Sequence, residues 1–481
     1  MATKPVNKKP NIFLRIGYAI REWFENFGKR FVDGSIGTKL SHFIFGAGNF
    51  YHKQFIKGAI FLLIQVAVIL LMVLCPEVNN TPFGWKALAN LGLGGTEYDP
   101  VTNTPQSDDQ LRLLFGLATI AVLVIFIIVW LANIASSYKA DNDEKKGLKP
   151  TTFRQDLNEL LDTKFHKLML TPTLIAAGLF TLLPTIFMIC IAFTSYNIVD
   201  MGETDTPNLF YWNGFANFAQ MFGGQSQLAH EITGRFLPVL AWTIVWAILA
   251  TVTCYFGGIL LALLINKKGL KGKKIFRTFF VITIAVPQFI SLLAVRNLFN
   301  STGPINSMLM NFGWVSEPIK FFGGTTGDPG NEYLAKVMVI IVNMWLGVPY
   351  TMLMTSGILM NIPADLYEAA TVDGASKGKM FWKITLPYVV FVTMPYLISS
   401  FIGNINSFNT IFLLTGGNPE VSGYQAGGTD LLVTWLYKLT ISAKQYNTGA
   451  VIGILTFIIT ASITLISYTR SKAYKEEDTF Q

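Results

Sequence analysis

The sequence predicts an all-α integral membrane protein that crosses the bilayer about eight times. Composition is the first indication, since 51% of the 481 residues are hydrophobic, only 14% are charged, and the mean hydropathy is +0.44. A chain of this length with so few charges is too apolar for a soluble protein. Eight segments are long and apolar enough to span a bilayer, namely residues 55–74, 113–134, 168–193, 237–265, 278–299, 334–358, 384–405 and 450–469.

Basic residues alternate from loop to loop along the chain. Of the 37 Lys and Arg residues, 28 lie in the two terminal segments and in every second loop between the predicted spans, whereas the other loops hold 6. Because Lys and Arg concentrate in cytoplasmic loops, the first set and both termini are predicted to face the cytosol. The same asymmetry accounts for the net charge of +8, so it does not favour nucleic-acid binding. The predicted cytosolic segments are residues 1–54, 135–167, 266–277, 359–383 and 470–481.

One predicted cytosolic loop, residues 361–387, has a helical pattern of its own. Pro363 suits the first turn of a helix, where its missing N–H is no loss, and the helix dipole favours Asp365 and Glu368 nearby. Gly374 predicts a left-handed stop. A second short basic helix is expected over residues 375–383, so the predicted shape is helix, sharp turn, helix.

The loop also carries a motif of fixed positions, formed by Glu368, Ala369, Ala370, Gly374, Ile384, Leu386 and Pro387. This motif resembles the coupling loop of ABC importer permeases, and the resemblance runs from about residue 165 to 470. It is closest to the larger permease subunit of maltose and maltodextrin importers (MalF-type), through residues 339–350 and 428–433. The alternative reading is an amphipathic connector lying on the membrane surface.

The resemblance implies a type I ABC importer permease core of six helices over residues 168–470. The seven motif residues would then contact a separate ATPase, and no catalytic residue, metal or cofactor is expected in this chain. No Gly-x4-Gly-Lys-Ser/Thr pattern occurs in the sequence, so ATP and magnesium are expected only in that ATPase. The implied partners are a second permease subunit, two ATPase subunits, an extracytoplasmic sugar-binding protein, the oligosaccharide and membrane lipid.

The remaining parts of the chain complete the predicted organisation. Residues 1–54 read as a cytosolic basic amphipathic region without a signal peptide, in which residues 12–31 have the spacing of a helix lying on the membrane. Residues 55–134 would add two extra transmembrane helices. A cytosolic linker at 135–167 and a cytosolic tail at 471–481 flank the core.

The predicted spans contain almost no charge, since Lys57, Arg296 and Lys336 all lie near span ends. Ion-coupled carriers usually need ionisable side chains at membrane depth. Here neutral polar residues recur at helical spacing instead, on one face of the sixth span and on one face of the seventh. Such groups suit an uncharged polyol. These two faces comprise Asn343, Gly347 and Tyr350, and Ser400, Asn404 and Ser407.

The resemblance assigns sugar contacts to these six residues and to Gln288. Ala-Val-Pro at 285–287, Trp-Leu-Gly-x-Pro-Tyr at 345–350 and Ser-Phe at 400–401 carry the match. Gln288 stands where the family member has serine, Ser407 where it has asparagine, and Ile284 where it has a sugar-contacting tyrosine. The alternative is that the Asn and Ser side chains only bond between packed helices.

The sequence therefore predicts a multi-pass plasma-membrane permease of an ABC importer for an uncharged oligosaccharide, with maltose or maltodextrin as the expected substrate. The alternatives are an ABC permease for another sugar, an ion-coupled secondary sugar carrier, and a membrane enzyme. The sequence offers no paired carboxylates, nucleophile constellation or metal cluster, and therefore does not favour a membrane enzyme. Cys75, Cys190 and Cys254 read as small buried hydrophobic residues, and the four histidines have no metal-ligand spacing.

Overall fold

The computed structural model describes residues 21–22, 25–74, 77–78, 81–92, 108–198, 209–223, 227–267, 269–324 and 330–470. Residues 12–20, 23 and 24 of the predicted surface helix lie outside this part, as does the predicted tail at 471–481. The chain divides into two compact units. The first comprises Met1–Cys190 and Asp200–Trp212, and the second comprises Ile191–Val199 and Asn213–Gln481.

Seven helices among the described residues are long and apolar enough to cross a membrane, or eight crossings if one bent helix pair is counted. This confirms the predicted all-α integral membrane fold. The seven are Phe55–Leu74, Asp109–Lys145, Phe165–Ile191, Thr233–Asn266, Glu332–Met360, Lys377–Ile405 and Tyr446–Ile466.

The first unit contains three of these apolar helices. The 37 residues of its longest helix span about 55 Å at 1.5 Å per residue, far more than the ~30 Å hydrocarbon core needs. Its elements are α1 (Ile36–Leu40), α2 (Ala47–Tyr51), α3 (Phe55–Leu74), the strand pair β1 (Glu77–Val78) and β2 (Thr81–Pro82), α4 (Trp85–Asn90), α5 (Asp109–Lys145), α6 (Phe153–Leu161), α7 (Phe165–Ala177), a π-helical turn (Gly178–Leu182) and α8 (Leu183–Ile191).

A buried polar cluster holds α1 and α2 against α5 in this unit. The Asp141 carboxylate accepts hydrogen bonds from the backbone N–H and hydroxyl of Ser35, at 2.8 and 2.6 Å, and from the Thr38 hydroxyl at 2.6 Å. His52 Nε2 lies 2.5 Å from Asp141, and its Nδ1 lies 2.9 Å from Glu144. A buried carboxylate without such partners is costly, so these contacts stabilise the docked position of α1 and α2.

The second unit contains the other apolar helices and the bent pair. Trp246, Ala250 and Val339 form one buried cluster with Ile411 and Leu431. The elements are α9 (Ala216–Gly223), α10 (Gln227–Asn266), α11 (Lys273–Ala285), α12 (Gln288–Leu298), α13 (Pro304–Asn311), α14 (Glu332–Met360), α15 (Ala364–Val372), α16 (Lys377–Met380), a π-helical turn (Phe381–Thr385), α17 (Leu386–Ile405), α18 (Phe408–Leu414), α19 (Leu432–Tyr437), a second π-helical turn (Lys438–Ser442) and α20 (Tyr446–Arg470).

The predicted fifth span, residues 278–299, is not one straight helix. α11 ends at Ala285 and α12 begins at Gln288, and the two helices meet at 95°. Proline disfavours helical conformation in the residue before it, and Val286 is accordingly extended, with φ −82° and ψ 129°. Pro395, by contrast, lies inside α17 without ending it.

Glycines allow α10 and α14 to approach each other closely. A Cβ on Gly257 would lie 2.8 Å from Val348 Cγ2, and one on Gly258 would lie 2.4 Å from the Cβ of Thr351. Side chains at these positions would therefore push the helices apart. Small residues at helix crossings are the usual means of close packing within membranes.

Replacing Gly258 by leucine is expected to disrupt this packing, because the new side chain would collide with Thr351. We expect the yield of monodisperse protein in size-exclusion chromatography to fall at least several-fold. Gly357→Leu on α14 is the matched control, since no atom lies within 4 Å of a Cβ placed there. Equal yields of the two variants would show that the α10–α14 contact does not limit stability.

Candidate functional site

Asn343 and Gly347 of α14 both face Cys254 of α10. The Asn343 side-chain Nδ2 donates a hydrogen bond to Cys254 Sγ at 3.4 Å. A Cβ on Gly347 would lie 2.6 Å from the same sulfur, so only glycine fits there without displacing the thiol. These two predicted site residues therefore lie together, with α10 directly behind them.

Asn404 of α17 contacts the same stretch of α10. Its Nδ2 donates to Thr251 Oγ1 at 2.9 Å, and its backbone carbonyl accepts a hydrogen bond from Trp246 Nε1 at 3.1 Å. Thr251 precedes Cys254 by three residues, which places both on one face of α10. Two of the predicted polar side chains, from different helices, thus converge on adjacent turns of a third helix.

Tyr350 presents its ring at the protein surface, one turn beyond Gly347. The side chain is 53% exposed, and its ring centroid lies 5.8 Å from that of Tyr396 on α17. The Tyr396 hydroxyl lies 3.4 Å from Thr351 Oγ1. An accessible pair of aromatic rings therefore lies where α14 and α17 meet.

The remaining predicted site residues are arranged less simply. Ser400 is half-buried on α17, one turn before Asn404. Ser407 does not share this helical face as predicted, because α17 ends at Ile405 and the Ser407 hydroxyl donates instead to Thr410 Oγ1 at 3.1 Å. Gln288 is exposed at the start of α12, directly after the 95° bend, and its side chain forms no hydrogen bond with the residues described.

Sequence reasoning missed the contribution of α10. Cys254 was read as a small buried hydrophobic residue, whereas the structure shows a half-buried thiol that accepts a hydrogen bond from an amide. The available signal was the recurrence of small residues at Thr251, Cys254, Gly257 and Gly258, the spacing of a close helix crossing. That spacing identifies the helix against which the polar faces pack.

The 361–387 loop forms a helix, a turn and a helix. After α15, Gly374 adopts a left-handed conformation with φ +71°. The backbone N–H of Ala375 donates to the carbonyl of Ala370 at 2.9 Å and closes the turn. Glycine is the residue that adopts this conformation without steric cost, so the predicted left-handed stop is present.

The second helix of the loop is longer than predicted. In place of a separate helix over residues 375–383, it begins at Lys377, passes through the π-helical turn and continues to Ile405. Pro387 cannot donate a backbone hydrogen bond to Lys383, and the wider turn just before it lets the helix continue. The second helix of the loop and the membrane-spanning helix are therefore one continuous helix.

Most of the motif lies on the surface of the loop. The Tyr367 hydroxyl lies 2.8 Å from Thr385 Oγ1 and braces α15 against the start of the long helix. Val372 at the end of α15 is 88% exposed, so the loop presents an apolar side chain beside its turn. Glu368, Ala369, Gly374 and Pro387 are exposed, whereas Ala370, Ile384 and Leu386 are half-buried.

The segment 428–433 stabilises the loop to which it belongs. Buried Asp430 accepts hydrogen bonds from the backbone N–H of Gly427 at 2.7 Å and from the Thr434 hydroxyl at 2.9 Å, and pairs with Lys438 at 2.6 Å. Burial raises the pKa of the Asp430 carboxyl, and the ammonium of Lys438 opposes that rise. These contacts organise the connection between α18 and α19.

Seven to eight apolar helices, with a helix-turn-helix loop that continues into one of them, are the architecture of a multi-pass membrane protein. Residues 255–471 match the family of binding-protein-dependent transport system inner membrane components. Full-length relatives match over nearly the whole chain as well. The chain belongs to this family, whose members are permease subunits and not enzymes.

Three curated relatives illustrate the similarity. The galactooligosaccharides transport system permease protein GanP of Bacillus subtilis is 32% identical over 434 residues, covering 90% of this chain and 96% of the relative. The maltodextrin transport system permease protein MalC of Streptococcus pneumoniae is 32% identical over 443 residues, covering 90% and 95%. The maltose/maltodextrin transport system permease protein MalF of Klebsiella aerogenes is 37% identical over 276 residues, covering 55% and 50%.

Proposed function

We propose that this chain is the membrane-spanning permease subunit of an ATP-binding-cassette importer for an uncharged oligosaccharide, with maltose or maltodextrin as the substrate. The convergence of Asn343 and Asn404 on one face of α10 carries this proposal. Residues 236–266, 337–364 and 384–419 contain no Asp, Glu, Lys, Arg or His. A polar cluster without ionisable carboxylates, amines or imidazoles suits a neutral ligand and opposes an ion-coupled carrier.

The chemistry of the cluster matches that of a sugar. An amide side chain both donates and accepts hydrogen bonds, as neighbouring sugar hydroxyls require. The exposed ring of Tyr350 can cover an apolar sugar face while its hydroxyl bonds one oxygen. The further proposed sugar contacts are Gly347, Ser400, Ser407 and Gln288. The bend directly before α12 would bring Gln288 to the sugar.

The relatives support the substrate class. MalC and MalF are named for maltodextrin or maltose, and MalC matches this chain over 90% of its length. GanP, named for galactooligosaccharides, matches over the same share with the same identity. A galactose-containing oligosaccharide is therefore the second candidate substrate for the same site.

The partners and orientation follow from the proposed class. The motif residues of the 361–387 loop would contact one of two ATPases on the cytosolic side. The distribution of Lys and Arg supports this orientation for the loop and for both termini. The exposed Val372 and the small Ala369 suit docking into a complementary recess. A second permease would complete the pathway, and an extracytoplasmic binding protein would deliver the sugar.

Competition for uptake tests the substrate assignment. Cells that depend on this permease for uptake of radiolabelled maltotriose would be challenged with unlabelled maltose, maltotetraose, galactobiose and raffinose. We expect the two α-glucans to inhibit uptake and the galactosides to have no effect. Stronger inhibition by galactobiose than by maltose would transfer the assignment to the second candidate, and absence of maltotriose uptake would contradict the maltodextrin assignment.

A further inference from the structure

We infer that Thr251 and Cys254 on α10 are positioning residues for the sugar, because they hold the side-chain amides of Asn404 and Asn343 in one orientation. Each amide donates through its nitrogen to α10, which leaves its oxygen as the acceptor presented to sugar hydroxyls. This inference rests on the proposed function and extends it to a helix that makes no proposed sugar contact itself.

The first step is the direction of the two hydrogen bonds. Asn404 Nδ2 donates to Thr251 Oγ1 at 2.9 Å, and Asn343 Nδ2 donates to Cys254 Sγ at 3.4 Å. Thr251 is buried, with 8% of its surface exposed. Trp246, on the same helix, donates a further hydrogen bond to the backbone carbonyl of Asn404 at 3.1 Å. Both the backbone and the side chain of Asn404 are thus fixed by one helix.

The second step concerns the amide oxygens. Asn343 Oδ1 and Asn404 Oδ1 accept no hydrogen bond from the residues described. The fully buried polar atoms that lack a partner do not include either oxygen, so both oxygens retain exposed surface. Both residues are only half-buried. The two oxygens are therefore accessible acceptors, whereas one hydrogen of each amide nitrogen is already engaged.

The third step is energetic. An amide free to rotate presents its nitrogen and its oxygen interchangeably, and binding must then select one orientation and immobilise it. A hydrogen bond from the nitrogen to α10 removes that cost before the sugar arrives. Interhelical hydrogen bonds in membranes are modest, so the loss of one should weaken sugar binding by about threefold.

The test is binding of radiolabelled maltotriose to the complete purified transporter in nanodiscs. Thr251→Val, which removes the hydroxyl and keeps the shape, should raise the Kd about threefold and leave the maximal uptake rate at saturating sugar unchanged. Thr251→Ser should restore the wild-type Kd. Thr456→Val on α20 is the matched control, because the Thr456 hydroxyl donates to Ile452 of its own helix at 2.7 Å and its loss should not affect binding.

A double-mutant cycle separates positioning from general packing. Thr251→Val should add nothing in an Asn404→Leu background, since the amide that it orients is then absent. Additive effects, or a Kd unchanged by Thr251→Val while Asn404→Leu raises it, would overturn the inference and leave the proposed site intact. A Kd unchanged by Asn404→Leu itself would instead overturn the site, and the inference with it.

Cys254→Ala provides a second test of the inference, with a smaller expected effect on the Kd. A thiol is a poorer acceptor than a hydroxyl, so the expected rise in Kd is below threefold. Cys190→Ala is the control, since Cys190 lies in the other unit of the chain. Equal effects of both cysteine variants would contradict a positioning role for Cys254.

Discussion

Gly374→Pro is expected to abolish sugar uptake while the chain still accumulates in the membrane. Gly374 has φ +71°, whereas proline is held near −65°, and proline would also remove the N–H that donates to the Thr371 carbonyl. The turn between α15 and the long helix could not form. Because the helix from Lys377 to Ile405 is continuous, distortion of the turn should uncouple the membrane helix from the ATPase.

Two alanine variants test whether the loss of uptake follows from the left-handed conformation at residue 374. Gly374→Ala must adopt a left-handed conformation that costs about 1–2 kcal/mol, so we expect uptake to fall several-fold. Gly378→Ala, in the same loop and also without neighbours within 4 Å of its Cβ, needs no such conformation and should behave as wild type. Uptake would be measured beside membrane abundance and co-purification of the ATPase. Normal uptake by Gly374→Pro at normal abundance would refute the coupling role.

The Tyr350→Ala and Asn404→Leu double variant is expected to reduce uptake to background at subsaturating sugar. A ring contact and a hydrogen bond are each worth about 1 kcal/mol, so either single change should weaken uptake several-fold and both together about thirtyfold. The chain should still assemble with its partners, because Tyr350 is exposed. The defect should not vary between about pH 6 and 8, since no histidine takes part.

Tyr333→Ala and Asn406→Leu form the matched control pair. Tyr333 is 80% exposed at the start of α14. Asn406, just beyond the end of α17, donates within its own segment to Ile402 and to no other residue in the described part of the chain. Both control variants should transport at the wild-type rate. If the Tyr350 and Asn404 double variant also did so, the sugar site would lie elsewhere in the transporter.

The sequence was sufficient to predict seven of the eight membrane-spanning segments as helices, because a bilayer requires long apolar segments and local composition reveals them; the fifth is a helix pair bent by 95°. It also predicted the left-handed turn at Gly374, which depends on one residue type. The continuation from Lys377 to Ile405 was missed because the predicted span was drawn from the apolar run alone and therefore began directly after Lys383, whereas a π-helical turn joins the basic and apolar parts into one helix. The predicted span and α17 both end at residue 405, so the error was to extend the helical spacing beyond that end to Ser407.

Contacts between distant segments were beyond sequence reasoning. Asp141 and His52 are 89 positions apart, and nothing in their spacing indicates that they meet. The same holds for Asn404 and Thr251, which are 153 positions apart. Periodicity identified which residues share a helical face, but only the packed structure shows which helix that face meets.

Sugar uptake by proteoliposomes tests the central claim most directly. The vesicles would contain this chain with its second permease and two ATPases, ATP inside, and sugar-loaded binding protein outside. We predict uptake that requires both ATP and the binding protein and that continues when a protonophore collapses the ion gradients. Uptake without ATP, or its collapse by the protonophore at constant ATP, would contradict an ATP-driven importer and favour an ion-coupled carrier.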